Sequence, residues 1–173
     1  MLLLKLFDNG LNDLVRKLVL IAPAAYPQPL PFFIAIPRIP LIGRAMLQFL
    51  SAELQLKITL KIVVKKREIL TKKRIRRYKD NIADPSCRNA LIKTALNILP
   101  QRTEHFIDKA EKIPLRTLLI YGENDSVILR RNLKRLSLNL PNILTKKMID
   151  CGHFPHEEYP ELVTGMLSEF LYE

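Results

Sequence analysis

Two short segments hold residues that could pass a proton between them. One is Tyr121-Gly122-Glu123-Asn124-Asp125; the other is Cys151-Gly152-His153-Phe154-Pro155-His156-Glu157-Glu158. An imidazole takes and returns protons near neutral pH, and a carboxylate beside it fixes the tautomer and stabilises the charged ring. An Asp–His pair of this kind is a general base that needs a third group to activate. Taken alone, Asp125 reads as a turn residue after Gly122, and His153 as a hydrogen-bonded structural histidine. Glu123 is an alternative acid. His156 reads as a loop support or a solvent-facing ring. Glu157 and Glu158 read as the start of the final helix, where negative charge suits the dipole. Cys151 reads as a small buried residue, since nothing around it marks an activated thiol.

Both segments follow runs with strand character. Leu115 to Tyr121 (LRTLLIY) and Leu144 to Ile149 (LTKKMI) predict strands, and Ile128 to Leu140 predicts a helix between them with a basic outer face. Pro160 to Leu171 predicts a closing helix, with Leu162, Met166 and Phe170 on one face. Earlier in the chain, Lys17 to Ala22 (KLVLIA) is apolar on both faces, as in a parallel strand covered by helices. Strand–helix–strand–helix at these intervals is the α/β pattern. In open parallel sheets the ligand site lies beyond the carboxyl ends of the strands, which is where Asp125 and His153 fall.

The other segments are less regular. Met1 to Phe7 predicts a helix end stopped at Asp8-Asn9-Gly10. Pro23 to Pro40 holds six prolines and predicts an irregular connector packed on something apolar. Residues 44–112 predict mainly helix. Within them Leu54, Leu56, Ile58, Leu60 and Ile62 alternate like a strand, but Leu56, Leu60 and Val63 or Val64 also make a helical face, and helix is the reading adopted.

At this point the sequence resembles a known family. "TLLIYGENDSVI" looks like the seventh strand and acid loop of the α/β-hydrolase fold family, and "IDCGHFPHEEYPELV" like its histidine loop and final helix. "KLVLIAPAAYPQPLP" is similar to its sixth strand and the entry to its helical cap. The order of parts agrees along nearly the whole chain. The resemblance implies an α/β fold: the C-terminal part of an α/β-hydrolase sheet, about three parallel strands, with a mainly helical cap insertion. Residues 1–26 and 113–173 would form a partial core and residues 27–112 the cap. By the same match Asp125 is the catalytic acid and His153 the catalytic base of a Ser-His-Asp type hydrolase acting on acyl, ester or related bonds. A small-molecule substrate would lie between core and cap, with no cofactor and no metal. "VILRRNLKRL" departs from the family, which usually has a proline soon after the acid loop, so the start of that helix is open.

The family's nucleophile sits in a Gly-x-Ser-x-Gly turn before the sixth strand. The serines here are Ser51, Ser86, Ser126, Ser137 and Ser168, and none lies between two glycines at that spacing. The turn is expected just upstream of Met1. The chain alone is therefore expected to be truncated and inactive, with a complementing N-terminal half as a partner. The strand KLVLIA would then present an apolar edge.

Composition bounds the rest. Of 173 residues, 48% are hydrophobic and 26% charged, which is ordinary for a globular chain. Cys87 and Cys151 match no metal-ligand spacing, and no apolar run reaches the roughly 20 residues that span a bilayer. A cytoplasmic location is expected. The net charge of +11 lies wholly in the middle: residues 27–113 carry 18 basic and 7 acidic side chains. An alternative function is a non-catalytic binding protein that meets nucleic acid or an anionic membrane surface through the basic segment 61–79. A solvated helix face is the plainer reading, because only Tyr78 offers a stacking ring there.

Overall fold

The computed structural model describes residues 15–39, 51–84, 114–148 and 150–173, with a few isolated positions between 49 and 97. The helix end predicted at 1–7, the turn at 8–10 and most of the helix predicted over 85–112 lie outside the described residues.

Three strands form one parallel sheet in the order β1 (Lys17–Ile21), β2 (Arg116–Gly122), β3 (Ile143–Met148). Leu18 pairs with Thr117 and Ile21 with Ile120 across β1 and β2; Thr117 pairs with Ile143 and Gly122 with Met148 across β2 and β3. β2 is central, and Thr117 to Gly122 are all buried. Its alternating side chains build two cores. Leu119 and Tyr121 face Leu133 and Leu136 of a helix at Arg130–Asn139 and Leu140 at its end, together with Tyr26 and Ile128. Leu118 and Ile120 face Val163 and Phe170 of a helix at Pro160–Tyr172, together with Met148 and Cys151. Burying each large apolar side chain contributes roughly 1.5–3 kcal/mol. Helices on both faces explain why β2 is apolar without alternation from Leu118 to Tyr121.

Between β1 and β2 in the chain, the longer helices among the described residues are α1 (Ala52–Val63) and α2 (Lys72–Ala83). The helices on the two faces of the sheet are α3 (Arg130–Asn139) and α4 (Pro160–Tyr172). The alternating stretch at 54–62 is helical. Ser51 caps it by accepting from the Leu54 N–H at 3.2 Å, and Leu56, Leu60, Val63 and Val64 are buried while Leu54 and Ile58 are exposed. The burial follows the 3.6-residue period, so the period-2 pattern was coincidental.

The proline-rich connector is irregular apart from one helical turn at Phe32–Ala35 and a 3₁₀ turn at Ile36–Arg38; Leu30, Phe33, Ile34 and Ile36 are half-buried, whereas Phe32 and Ile39 are exposed. Two expectations need correction. Leu162 does not face the core. Val163 and Phe170, seven residues apart, return within roughly 20° of each other around the helix, whereas Leu162 lies about 80° from Phe170; Leu162 is 52% exposed. The helix after the acid loop starts at Arg130, later than Ile128, because Asp125 takes the first free N–H groups into a turn of its own. Gln28 then serves the helix end: its Oε1 accepts from the Leu129 N–H at 3.0 Å and from Asn132 Nδ2 at 3.1 Å.

Candidate active site

Parallel strands bring their carboxyl ends to the same edge, so the loops after β2 and β3 lie side by side. Two backbone hydrogen bonds stitch them: Glu123 N–H to the Met148 carbonyl at 2.8 Å and Asn124 N–H to the Cys151 carbonyl at 3.0 Å. The approach is close enough to require glycine. A Cβ on Gly122 would stand 2.1 Å from the Gly152 oxygen, and a Cβ on Gly152 would stand 2.4 Å from the Val63 oxygen.

Asp125 sits at the end of the first loop with its side chain 2% exposed. Its Oδ1 accepts from the Val127 N–H at 2.7 Å and the Ile128 N–H at 2.9 Å, an Asx-type turn. That leaves Oδ2 for His153, whose Nδ1 is 2.9 Å away. Two backbone donors thus fix the carboxylate, and the carboxylate fixes the ring. With the proton on Nδ1, facing Asp125, Nε2 is the nitrogen left to accept. The His153 side chain keeps 20% of its surface exposed and packs beside Phe154, with ring centroids 5.3 Å apart. The structure therefore brings these two predicted residues together.

The other candidates separate from the pair. Glu123 turns to Lys147 at 3.0 Å and Arg130 at 3.1 Å. The hydrogen bond from Lys147 holds its carboxyl below the usual range, with smaller help from the charges of Lys147 and Arg130. His156 is exposed beside Phe154. Glu157 meets Tyr78 Oη, and Arg74 at 3.8 Å. Ser126, next to the acid, donates to the Ile62 carbonyl at 2.7 Å. Cys151 is fully buried, and burial, followed by the nearby carboxylates of Glu158 and Asp125, pushes its thiol up to about 12.

Glu158 was misplaced by the sequence reading. It does not open the final helix, which begins at Pro160 after a break at Tyr159. It is 1% exposed. Its Oε1 accepts from the Gly152 N–H at 2.9 Å, and its Oε2 from the N–H groups of Lys65 at 3.0 Å and Lys66 at 2.8 Å. The signal was available: a proline favours the first helical position, so Pro160 opens the final helix and leaves Glu157 and Glu158 in the short helical turn Pro155–Glu158 before it.

Among the described residues no cluster of His, Cys, Asp or Glu could hold a metal ion. A cavity of about 500 Å³ lies beside the pair instead of at it. It is lined by Lys66, Arg74, Glu157, Glu158 and Tyr159 among others, with neither Asp125 nor His153. The basic segment is partly engaged internally, with Lys79 on Glu53 at 3.0 Å and Lys66 over the Tyr159 ring. No described helix is long and apolar enough to cross a membrane.

Comparison with known proteins agrees on architecture. No family model matches the chain. Over 64 residues it is 33% identical to an uncharacterized hydrolase, YugF, of Bacillus subtilis, a match covering 37% of this chain and 23% of that protein. Over 55 residues it is 31% identical to an alpha/beta hydrolase domain-containing protein, VTE7, of Arabidopsis thaliana, covering 32% and 17%. Among solved structures, a meta-cleavage product hydrolase from Pseudomonas fluorescens superposes with a TM-score of 0.69 at 17% identity, covering 91% of this chain and 56% of that one. A thermophilic esterase from Thermogutta terrifontis gives 0.70 at 17%, covering 96% and 59%. The chain spans little more than half the length of these structures. What they share with it is the fold, in which the three parallel strands here are the C-terminal part of an α/β-hydrolase sheet.

Proposed function

We propose that the chain supplies the acid–base half of a hydrolase site, with His153 as general base and Asp125 as the acid that orients it. The observation that carries this is the 2.9 Å contact between His153 Nδ1 and Asp125 Oδ2 at the ends of two adjacent parallel strands. His153 Nε2 takes the proton of a hydroxyl nucleophile, Asp125 stabilises the imidazolium that forms, and the same nitrogen later activates water. The bond cleaved is an ester or a related acyl bond. Residues 1–26 and 113–173 act as core and residues 27–112 as the cap over a small-molecule substrate. The nucleophile comes from a segment outside this sequence, since no serine here stands in the required turn.

The test supplies that segment. The chain is joined in frame behind the Gly-x-Ser-x-Gly portion of a related hydrolase, and hydrolysis of p-nitrophenyl esters is followed. Turnover is expected to appear, to fall roughly 10⁴-fold in Asp125→Asn, and to fall further, up to about 10⁶-fold, in His153→Ala. Turnover indifferent to His153→Ala, or a folded fusion with none, sinks the proposal. Salt-dependent binding of duplex DNA or anionic vesicles by the chain would instead favour the basic segment 61–79 as its working surface.

A further inference from the structure

The buried carboxylate of Glu158 has no part in the chemistry above, yet it lies at the junction of the histidine loop and the inserted helices. Its two oxygens look in different directions. Oε1 takes the N–H of Gly152, the residue before His153, at 2.9 Å. Oε2 takes the N–H groups of Lys65 and Lys66, just past the end of α1, at 3.0 and 2.8 Å. Nearby, the His153 N–H donates to the Val63 carbonyl at 2.9 Å, and Ser126 Oγ, beside Asp125, donates to the Ile62 carbonyl at 2.7 Å. The segment 62–66 therefore holds both loops that carry the pair. Gly152 admits no side chain there, because a Cβ would meet Val63 O at 2.4 Å and Glu158 Oε1 at 2.9 Å.

We propose that Glu158 is a positioning residue: it clamps the chain at Lys65–Lys66 against Gly152, and so keeps His153 in register with Asp125. This deepens the function proposed above, and rests on His153 being the base. A charge buried at 1% exposure is costly unless each lone pair has a donor, and here three backbone donors converge on it. Glutamine is nearly the same shape but offers one acceptor oxygen and one NH₂. In Glu158→Gln one side of the clamp must therefore face a donor with a donor. The clamp also ties the orientation of the base to the end of α1, so a shift of the inserted helices is felt at His153.

The test uses the chain as it is, with ¹⁵N-labelled histidine and long-range ¹H–¹⁵N spectra that read the imidazole tautomer. Wild-type His153 is expected as the Nδ1–H tautomer. Asp125→Asn is expected to return it to the ordinary mixture richer in Nε2–H. If the wild-type ring is already that mixture, the Asp–His pair itself fails, and the proposed function with it. If the pair behaves as expected, Glu158→Gln decides the clamp: the tautomer is expected to revert, and exchange of the His153 amide to accelerate at least about tenfold, with far-UV circular dichroism unchanged. A Glu158→Gln protein that melts lower but keeps the Nδ1–H tautomer and the slow amide overturns the proposal, since the glutamate is then only a strut. If Glu158→Gln does not fold, Lys66→Pro is read in its place. It deletes one donor to Oε2 at a residue whose φ of −78° suits proline. The same tautomer change and faster exchange are expected, and their absence likewise overturns the clamp.

Discussion

Cys151 stands two residues before His153, and its environment removes it from the chemistry. The thiol is fully buried, and burial together with the carboxylates of Glu158 and Asp125 pushes it up to about 12 from an ordinary 9.0. At pH 8 that leaves roughly 10³-fold less thiolate than an ordinary cysteine would hold. Cys87 is exposed. Titration with a disulfide reagent at pH 8 is therefore expected to show one fast equivalent, lost in Cys87→Ala, and a second only on unfolding. Two equivalents of similar rate in the folded protein would contradict this. At the same scale Glu123 shows what residue types alone leave open. It lies closer to the strand than Asp125, but the register that sets Tyr121 opposite Lys147 draws it to cations. A choice between two carboxylates two residues apart depends on that register and on the turn Asp125 makes with its own backbone.

Among the elements, β2 and the loop after it carry the tightest constraint. The backbone of Cys151 and Gly152 crosses so near Gly122 that a methyl group there would sit 2.1 Å from a carbonyl oxygen. Gly122→Ala is expected to cost at least about 2 kcal/mol, measured by urea unfolding, because the clash is with backbone and no side chain can swing aside. A loss within 0.5 kcal/mol would mean the two loops are less closely stitched. The elements themselves were largely legible. Apolar runs mark β1 and β2, strand–helix alternation marks β3 and α3, helical flanks decide α1 against its own period-2 pattern, and α4 is legible as a helix although one residue of its facing set is not. What stayed hidden has physical causes. Leu162 was misassigned because one apolar residue beside a true facing set looks the same in sequence. Glu158 escapes a local reading because an acidic residue near a helix start has a sufficient local explanation, while its partners Lys65 and Lys66 lie 93 and 92 residues away. The link from the histidine loop to the end of α1 left no local pattern at all.

At the scale of the whole molecule, the sheet is asymmetric. β2 has a neighbour on each side, while β1 pairs with β2 alone among the described residues. Of Lys17 to Ile21 only Leu18 is buried and the rest are half-buried, so among the described residues this apolar strand has one side with no paired strand. Such an edge recruits another strand. The polypeptide of this sequence is expected to show concentration-dependent association by sedimentation velocity, and to lose it when a segment that pairs with β1 is joined. A strictly monomeric chain melting cooperatively above about 65 °C, the upper end for ordinary domains, would remove the expectation. The Asp125–His153 contact closes a loop of 28 residues, while the contacts of Glu158 with Lys65 and Lys66 close loops of more than 90. The longer closure costs only about 1 kcal/mol more in chain entropy, but contacts of longer range form later in folding. The order of assembly is thus built into the connectivity: the β2–α3–β3–α4 unit can bring acid and imidazole together first, and the segment after α1 arrives afterwards to lock a pair that is already made.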